Sequence, residues 1–211
     1  SLVLRSTTAK KIAQVPNTLK QIIFKSKDDF IVNSIHIEQQ ERFVKISKNQ
    51  EDLKGYLLIA RYDDVSKRSI VEILNIKNGE ILHTWKPDIN KINSFSNLPK
   101  KIYLNRDNNI NRYQIYHPVL LNNGDLIIHS NDSPLVKISA CSKMIWFVDK
   151  PFHHSIELDG DGDIWSPSIN FPSKISKFDI DHNRSDGKIF REDTIEKISQ
   201  KGETLFSKSL I

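Results

Sequence analysis

The chain has one cysteine, one methionine and only seven glycines in 211 residues. A single thiol, Cys141, excludes an internal disulfide framework. It sits in Ile138-Ser139-Ala140-Cys141-Ser142-Lys143, between two apolar runs. That context gives it no histidine to depress its pKa, so it reads as a turn residue rather than a nucleophile. No apolar run approaches the roughly 18 residues that a membrane-spanning helix needs. The chain begins at Ser1, which leaves room for a leader or a membrane anchor outside it. Basic runs interleaved with aromatics are missing too. The 31 Lys and Arg are scattered among 26 Asp and Glu, for a net charge of +5, and this dispersed balance argues against a nucleic-acid partner.

Also missing are a G-x-S-x-G elbow, a phosphate-binding glycine loop, and the His-x-His or His-Glu-x-x-His spacings of zinc sites. Asp159, Asp161 and Asp163 alternate as in a calcium loop. That loop needs Gly at its sixth place and Glu at its twelfth, where this chain has Ile164 and Asn170. The three aspartates therefore read as a hairpin turn, with no metal expected. A metal-dependent hydrolase would require two histidines and a carboxylate within ligand distance of each other.

What is present is a repeated grammar of short β-rich runs. The first unit carries runs at 56–62, 69–76 and 80–85, with Asn78-Gly79 between the last two. The second has runs at 116–121, 125–129, 135–138 and 144–148, with Asn123-Gly124 between the first two. The third starts at Phe152, passes Asp163-Ile164-Trp165 and closes at 194–198 and 203–207 around Lys201-Gly202. Tight turns between β-rich runs are the strongest local hairpin signal. The units end near residues 85, 147 and 207, a period of about 60. This predicts an all-β chain: a partial β-propeller of about three four-stranded blades with long polar insertions at 87–111 and 168–191.

The propeller domain is expected over 30–211, with strands at 30–37 and 42–47. An N-terminal extension over 1–29 precedes it, with room for a short helix at Asn17–Phe24. A second short helix is expected near Asn90–Ser96. Because propellers close with about four to eight blades, three imply a fragment of a longer protein with an exposed edge.

The residues with chemistry to offer are histidines. Phe152-His153-His154-Ser155-Ile156-Glu157-Leu158 reads as an apolar strand opened by adjacent imidazoles, followed by the turn Asp159-Gly160-Asp161-Gly162. Neighbouring residues in a strand point to opposite faces, so one imidazole of the pair faces a site and the other packs or is solvated. Tyr116-His117-Pro118 stands at the corresponding place one unit earlier. His117, His153 and His154 are thus candidates to converge as nucleophile and general acid. Arg61, ending the apolar run Leu58-Ile59-Ala60, could aim a guanidinium at an anion. His36, His83, His129 and His182 have no comparable context.

Segments 57–63, 71–74 and 79–85, with His153-His154-Ser155-Ile156-Glu157 and Asp161-Gly162-Asp163-Ile164-Trp165, resemble the bacterial arylsulfotransferase family. The stretch from His153 to Trp165 is the most specific of these. The resemblance implies a six-bladed propeller, exported to the periplasm, that moves a sulfuryl group from an aryl sulfate ester to a phenol. It implies no adenosine-phosphosulfate or other cofactor, and a covalent intermediate on histidine assisted by further histidines and an arginine. His154 or His153 matches the family's histidine at the start of an inner strand, with His117 a weaker match. The family's nucleophilic histidine is expected in a later blade, leaving this chain with part of a site. An imidazole is a competent nucleophile and, when protonated, a suitable acid for a departing phenolate. The alternative is a non-catalytic propeller that binds a ligand or protein through its long loops.

Overall fold

The computed structural model describes residues 54–98, 109–170, 173 and 192–211. The chain divides into compact units at Ser1–Gln40 and Glu41–Ile211. The first lies wholly outside the described residues, as do the sequence-based helix at Asn17–Phe24, the strands at 30–37 and 42–47, and both His36 and His182.

The described part is almost entirely antiparallel sheet. A three-stranded sheet has the order β1-β2-β3, with β1 Tyr56–Asp63, β2 Arg68–Asn75 and β3 Ile81–Trp85. Next come one short helix, α1 Ile89–Ser94, then β4 Tyr116–Leu120, β5 Leu126–His129, β6 Ser133–Ile138 and β7 Met144–Phe152. The last four strands are β8 Glu157–Leu158, β9 Ile164–Asn170, β10 Glu192–Ile198 and β11 Thr204–Ser209. The second sheet runs β11-β10-β9-β7-β6-β5-β4, with β8 added against β9. It is two four-stranded meanders, β4–β7 and β8–β11, joined where β7 meets β9 at the single pair Phe152↔Ser168.

One turn design recurs because the sequence repeats its ingredients. In the β6–β7, β8–β9 and β10–β11 turns a polar first residue is followed by a left-handed residue just before the end, and the β4–β5 turn has the same hydrogen bonds with Leu121 in first place. In the β10–β11 turn, Ser199 N–H donates to Glu203 O at 2.8 Å and Gly202 N–H to Ser199 O at 2.9 Å. The β6–β7 turn repeats this with Ser139, Lys143 and Ser142, and a non-glycine, Ser142, holds φ at 61°. The first side chain clamps the turn as well: Asp159 Oδ1 accepts the N–H groups of both Asp161 and Asp163 at 3.0 Å. The aspartate run is therefore a hairpin turn, as expected from its sequence. The left-handed residue inserts the bulge that matches hairpin twist to strand twist.

Gly202 shows why glycine is needed at this place. Its φ is +87°, and an added Cβ would lie 2.8 Å from Trp146 Cδ2. Left-handed backbone with a side chain costs about 1–2 kcal/mol, and the rigid indole has little freedom to retreat. Gly202→Ala should lower the stability measured by urea unfolding by about 2 kcal/mol or more.

Two apolar cores lie between the strand layers. Val71, Trp85, Ile89 and Ile92 pack on Leu126, Ile128, Val136 and Ile138, joining the first sheet and α1 to the β4–β7 meander. Ile127, Leu135, Val148 and Phe152 pack on Ile164 and Ile198 of the β8–β11 meander. Helix α1 overlaps the expected 90–96 region, starting one residue earlier and ending two residues earlier. Asp88 caps it, accepting Lys91 N–H at 3.1 Å, and Ile89 and Ile92 enter the core.

The histidine segment departs from the sequence-based picture. Phe152 is the last residue of β7, and β8 is only Glu157–Leu158. His153 and His154 therefore lie in the link between two strands and do not open one. The reason is His154, whose φ of 65° turns the chain out of extended conformation. Strand β9 runs from Ile164 to Asn170, paired throughout with β10.

Candidate functional site

Four imidazoles gather where the two meanders meet. Strand β5 is buried along its whole length and ends at His129, which pairs with Tyr116 across the β4–β5 ladder. That ladder slips between Tyr116 and Val119, so His117 escapes the regular pleat and takes φ 42°. His117 and His154 are thus both exposed, left-handed non-glycine residues at corresponding places of successive meanders. Such conformations cost about 1–3 kcal/mol and concentrate at functional sites.

His153 is buried, and its backbone N–H donates to Pro167 O at 3.1 Å. Its Nε2 lies 3.5 Å from Asp193 Oδ1. The ring meets His154 edge to face, with centroids 4.6 Å apart and planes at 81°. One imidazole of the pair is therefore inside and the other outside, though a left-handed residue makes the separation and not the pleat of a strand.

His129 is fully buried. Its Nδ1–H donates to Ser130 O at 2.8 Å, because a carbonyl can only accept. This fixes the tautomer and leaves the Nε2 lone pair bare, without a hydrogen-bond partner. Burial pushes the pKa of His129 down to about 4, against the Ser130 hydrogen bond, and the positive charges available on His153, His117 and His154 push it the same way. Those three are thus the histidines whose charge reaches His129. The surroundings are rich in hydroxyls: Ser133 Oγ accepts Ser130 N–H at 2.7 Å, and Ser166 Oγ donates to Ser155 O at 3.0 Å.

His129 has no distinguishing local context in the sequence, and counting back along the hairpin supplies one. From the Asn123-Gly124 turn, Leu120 faces Leu126 and Val119 faces Ile127, so the pairing leads back toward the Tyr116-His117 end of β4. An all-apolar strand that ends on a histidine beside another histidine is the signal.

Arg61 stands elsewhere, in the first sheet, with its guanidinium engaged inside the protein. Its Nε and Nη2 fork onto Glu72 at 2.8 and 2.9 Å, and Nη1 reaches Asp63 Oδ1 at 3.1 Å. His83 bonds Ala140 O through Nε2 at 2.8 Å and meets the Trp85 ring edge-on. Cys141 is an exposed, free thiol in the β6–β7 turn.

Asp159 is held by its neighbours. The hydrogen bond from Lys197 depresses its pKa to about 2 against the opposing effect of burial, with help from Trp165 and the backbone N–H groups. Among the described residues no group of three His, Cys, Asp or Glu side chains is placed to hold a metal ion.

Two clefts flank β4, of about 350 and 280 Å³, and share Leu120, Leu121 and Asn122. None of the four gathered histidines lines either cleft. The exposed members of the cluster are His117 and His154, while His129 and His153 are buried.

No protein-family model matches the sequence, and no curated protein matches it. Among solved structures, the chain is similar to the quinohemoprotein alcohol dehydrogenase of Comamonas testosteroni, at 11% identity and a TM-score of 0.40. The match covers 74% of this chain and 20% of that one, so the chain spans about a fifth of the matched protein's length. At so low a score the fold rests on the strands themselves.

Proposed function

We propose that this chain is part of a β-propeller of the arylsulfotransferase kind, and that its histidine cluster serves sulfuryl transfer from an aryl sulfate to a phenol. Support for the propeller comes from two successive four-stranded meanders that meet at a single residue pair, following a three-stranded sheet. The observation that carries the site is the gathering of His117, His153 and His154 around the buried His129.

His154, and His117 with it, meet the donor's sulfate and supply a proton to the leaving phenolate. His153 backs His154. The aryl O–S bond breaks as an S–N bond forms on a nucleophilic imidazole, for which the family resemblance points to a histidine outside this chain. The acceptor phenol then attacks sulfur and the S–N bond breaks, regenerating the imidazole. No cofactor enters. The partners are the aryl sulfate and the phenol, with no nucleic acid. Export to the periplasm, with any membrane anchor outside this chain, belongs to the same proposal.

A ligand-binding propeller without catalysis is the second reading. The burial of His129 and His153, which keeps half the cluster from solvent, favours it.

Transfer from a chromogenic aryl sulfate to a phenol, measured in the complete protein, separates the two. The catalytic reading expects acceptor-dependent turnover that falls by about 10²–10⁴ in His154→Ala, the range for losing a general acid. Folded, full-length protein that fails to turn over any of several donors would leave the binding propeller.

A further inference from the structure

The link from β7 to β8 lies along β9 and is fastened to it repeatedly. His153 N–H donates to Pro167 O at 3.1 Å, Ser166 Oγ donates to Ser155 O at 3.0 Å, and Glu157 pairs with Trp165. On its other side β9 pairs with β10, where Pro167 faces Ile195 and Ile169 faces Asp193. The His153 ring is buried, and its Nε2 comes within 3.5 Å of Asp193 Oδ1. That is an ion-pair distance. The Asp193 side chain is half exposed, yet the Oδ1 that meets the imidazole is out of solvent.

An ionised carboxylate only accepts hydrogen bonds, so beside His153 it favours a proton on Nε2 and favours the imidazolium over the neutral ring. The same ring meets His154 edge to face, with centroids 4.6 Å apart and planes at 81°. His154 is exposed and left-handed, at φ 65°. A residue with a side chain keeps such backbone only where its surroundings impose it. The ring of His153 is one such constraint, and Asp193 stands behind that ring. His129 from β5 and His117 from β4 are further titratable side chains at this corner.

We propose that Asp193 is a positioning residue for the histidine pair: its carboxylate fixes the place and charge of the His153 ring, and through that ring the orientation of His154. The inference rests on the sulfuryl-transfer reading for its kinetic consequence alone. The ring placement stands apart from the reaction.

Nuclear magnetic resonance of the histidine rings in the full chain tests it. Asp193→Asn removes the charge and keeps an acceptor, whereas Asp193→Ala removes both. The side chain is half exposed, so both variants should fold, with far-ultraviolet circular dichroism matching the parent. The titration midpoint of His153 should fall by about one pH unit in each. The nuclear Overhauser contact between the His153 and His154 rings should weaken in the alanine variant. In the complete protein, supplied with a chromogenic aryl sulfate and a phenol, Asp193→Ala should lower kcat about 10–100-fold, the usual cost of losing a group that orients a histidine, with KM changed much less.

A loss of stability with the His153 midpoint and the ring contact unmoved would mark a merely structural aspartate and overturn the proposal. Transfer that collapses in His154→Ala and is untouched in Asp193→Ala would also overturn it, while the sulfuryl-transfer reading stands. A lowered midpoint and a weakened ring contact in a protein that turns over no donor would uphold the placement of the pair by Asp193 and remove the reaction instead.

Discussion

Acid should destabilise this protein well before its carboxylates titrate, and His129 is the cause. Its pKa in the folded chain is about 4, against 6.5 for an ordinary histidine. The folded state therefore binds fewer protons than the unfolded one between these values. Stability is full above about pH 6.5, falls as pH drops through the interval, and stops falling from this source below about pH 4. At about 1.36 kcal/mol for each unit of pKa difference, the loss is about 3 kcal/mol, a large fraction of a typical domain's stability.

A depressed carboxylate acts in a different window. Asp159, whose pKa is about 2 against an ordinary 3.8, contributes stability that is lost only as pH falls through that lower range. Urea unfolding at a series of pH values separates the two. His129→Gln, whose amide can still donate to Ser130 O, should flatten the curve between pH 6.5 and 4 and leave the lower limb in place. A slope that is unchanged in that variant would assign the acid sensitivity to another group.

The second large effect is expected at Phe152. It is fully buried, pairs with both Ser133 and Ser168, and contributes to the core between the two meanders. It is also where the β4–β7 meander passes to the β8–β11 meander, immediately before His153. Removing its ring leaves a cavity between strands held in register by other ladders, so little collapse can fill it. Phe152→Ala should cost about 3–5 kcal/mol by urea unfolding. Leu205→Ala, on a side chain 52% exposed in β11, should stay within about 0.5 kcal/mol and serves as the comparison. Near-equal losses at the two positions would mean that Phe152 does not hold the meanders together.

Much of the strand content was legible because β-hairpins write themselves locally. Runs rich in Ile, Val and Leu, separated by Asn-Gly or Lys-Gly, sit where β1–β7, β10 and β11 form, with ends shifted by one to several residues. Reading Asp159, Asp161 and Asp163 as a turn needed only the wrong residues at two calcium-loop places. What misled was the segment from Phe152 to Leu158, which has strand composition but contains a left-handed residue. A histidine at φ 65° carries no local signal comparable to glycine, because the surrounding packing imposes it. His129 was missed for a related reason: its setting comes from a partner strand, and a histidine at the end of an apolar run looks ordinary until the hairpin is paired.

The β-rich character, the turn positions, the roughly 60-residue period and the pool of candidate histidines are all written in the sequence. These follow from side-chain shape, alternation and turn chemistry, all of which act over a few residues. Which imidazoles meet, which are buried, and that Glu72 and Asp63 take up the Arg61 charge emerge only on folding. Those outcomes depend on contacts between distant strands. Burial and neighbouring charge then set the protonation of His129, and neither can be read from any window of adjacent residues.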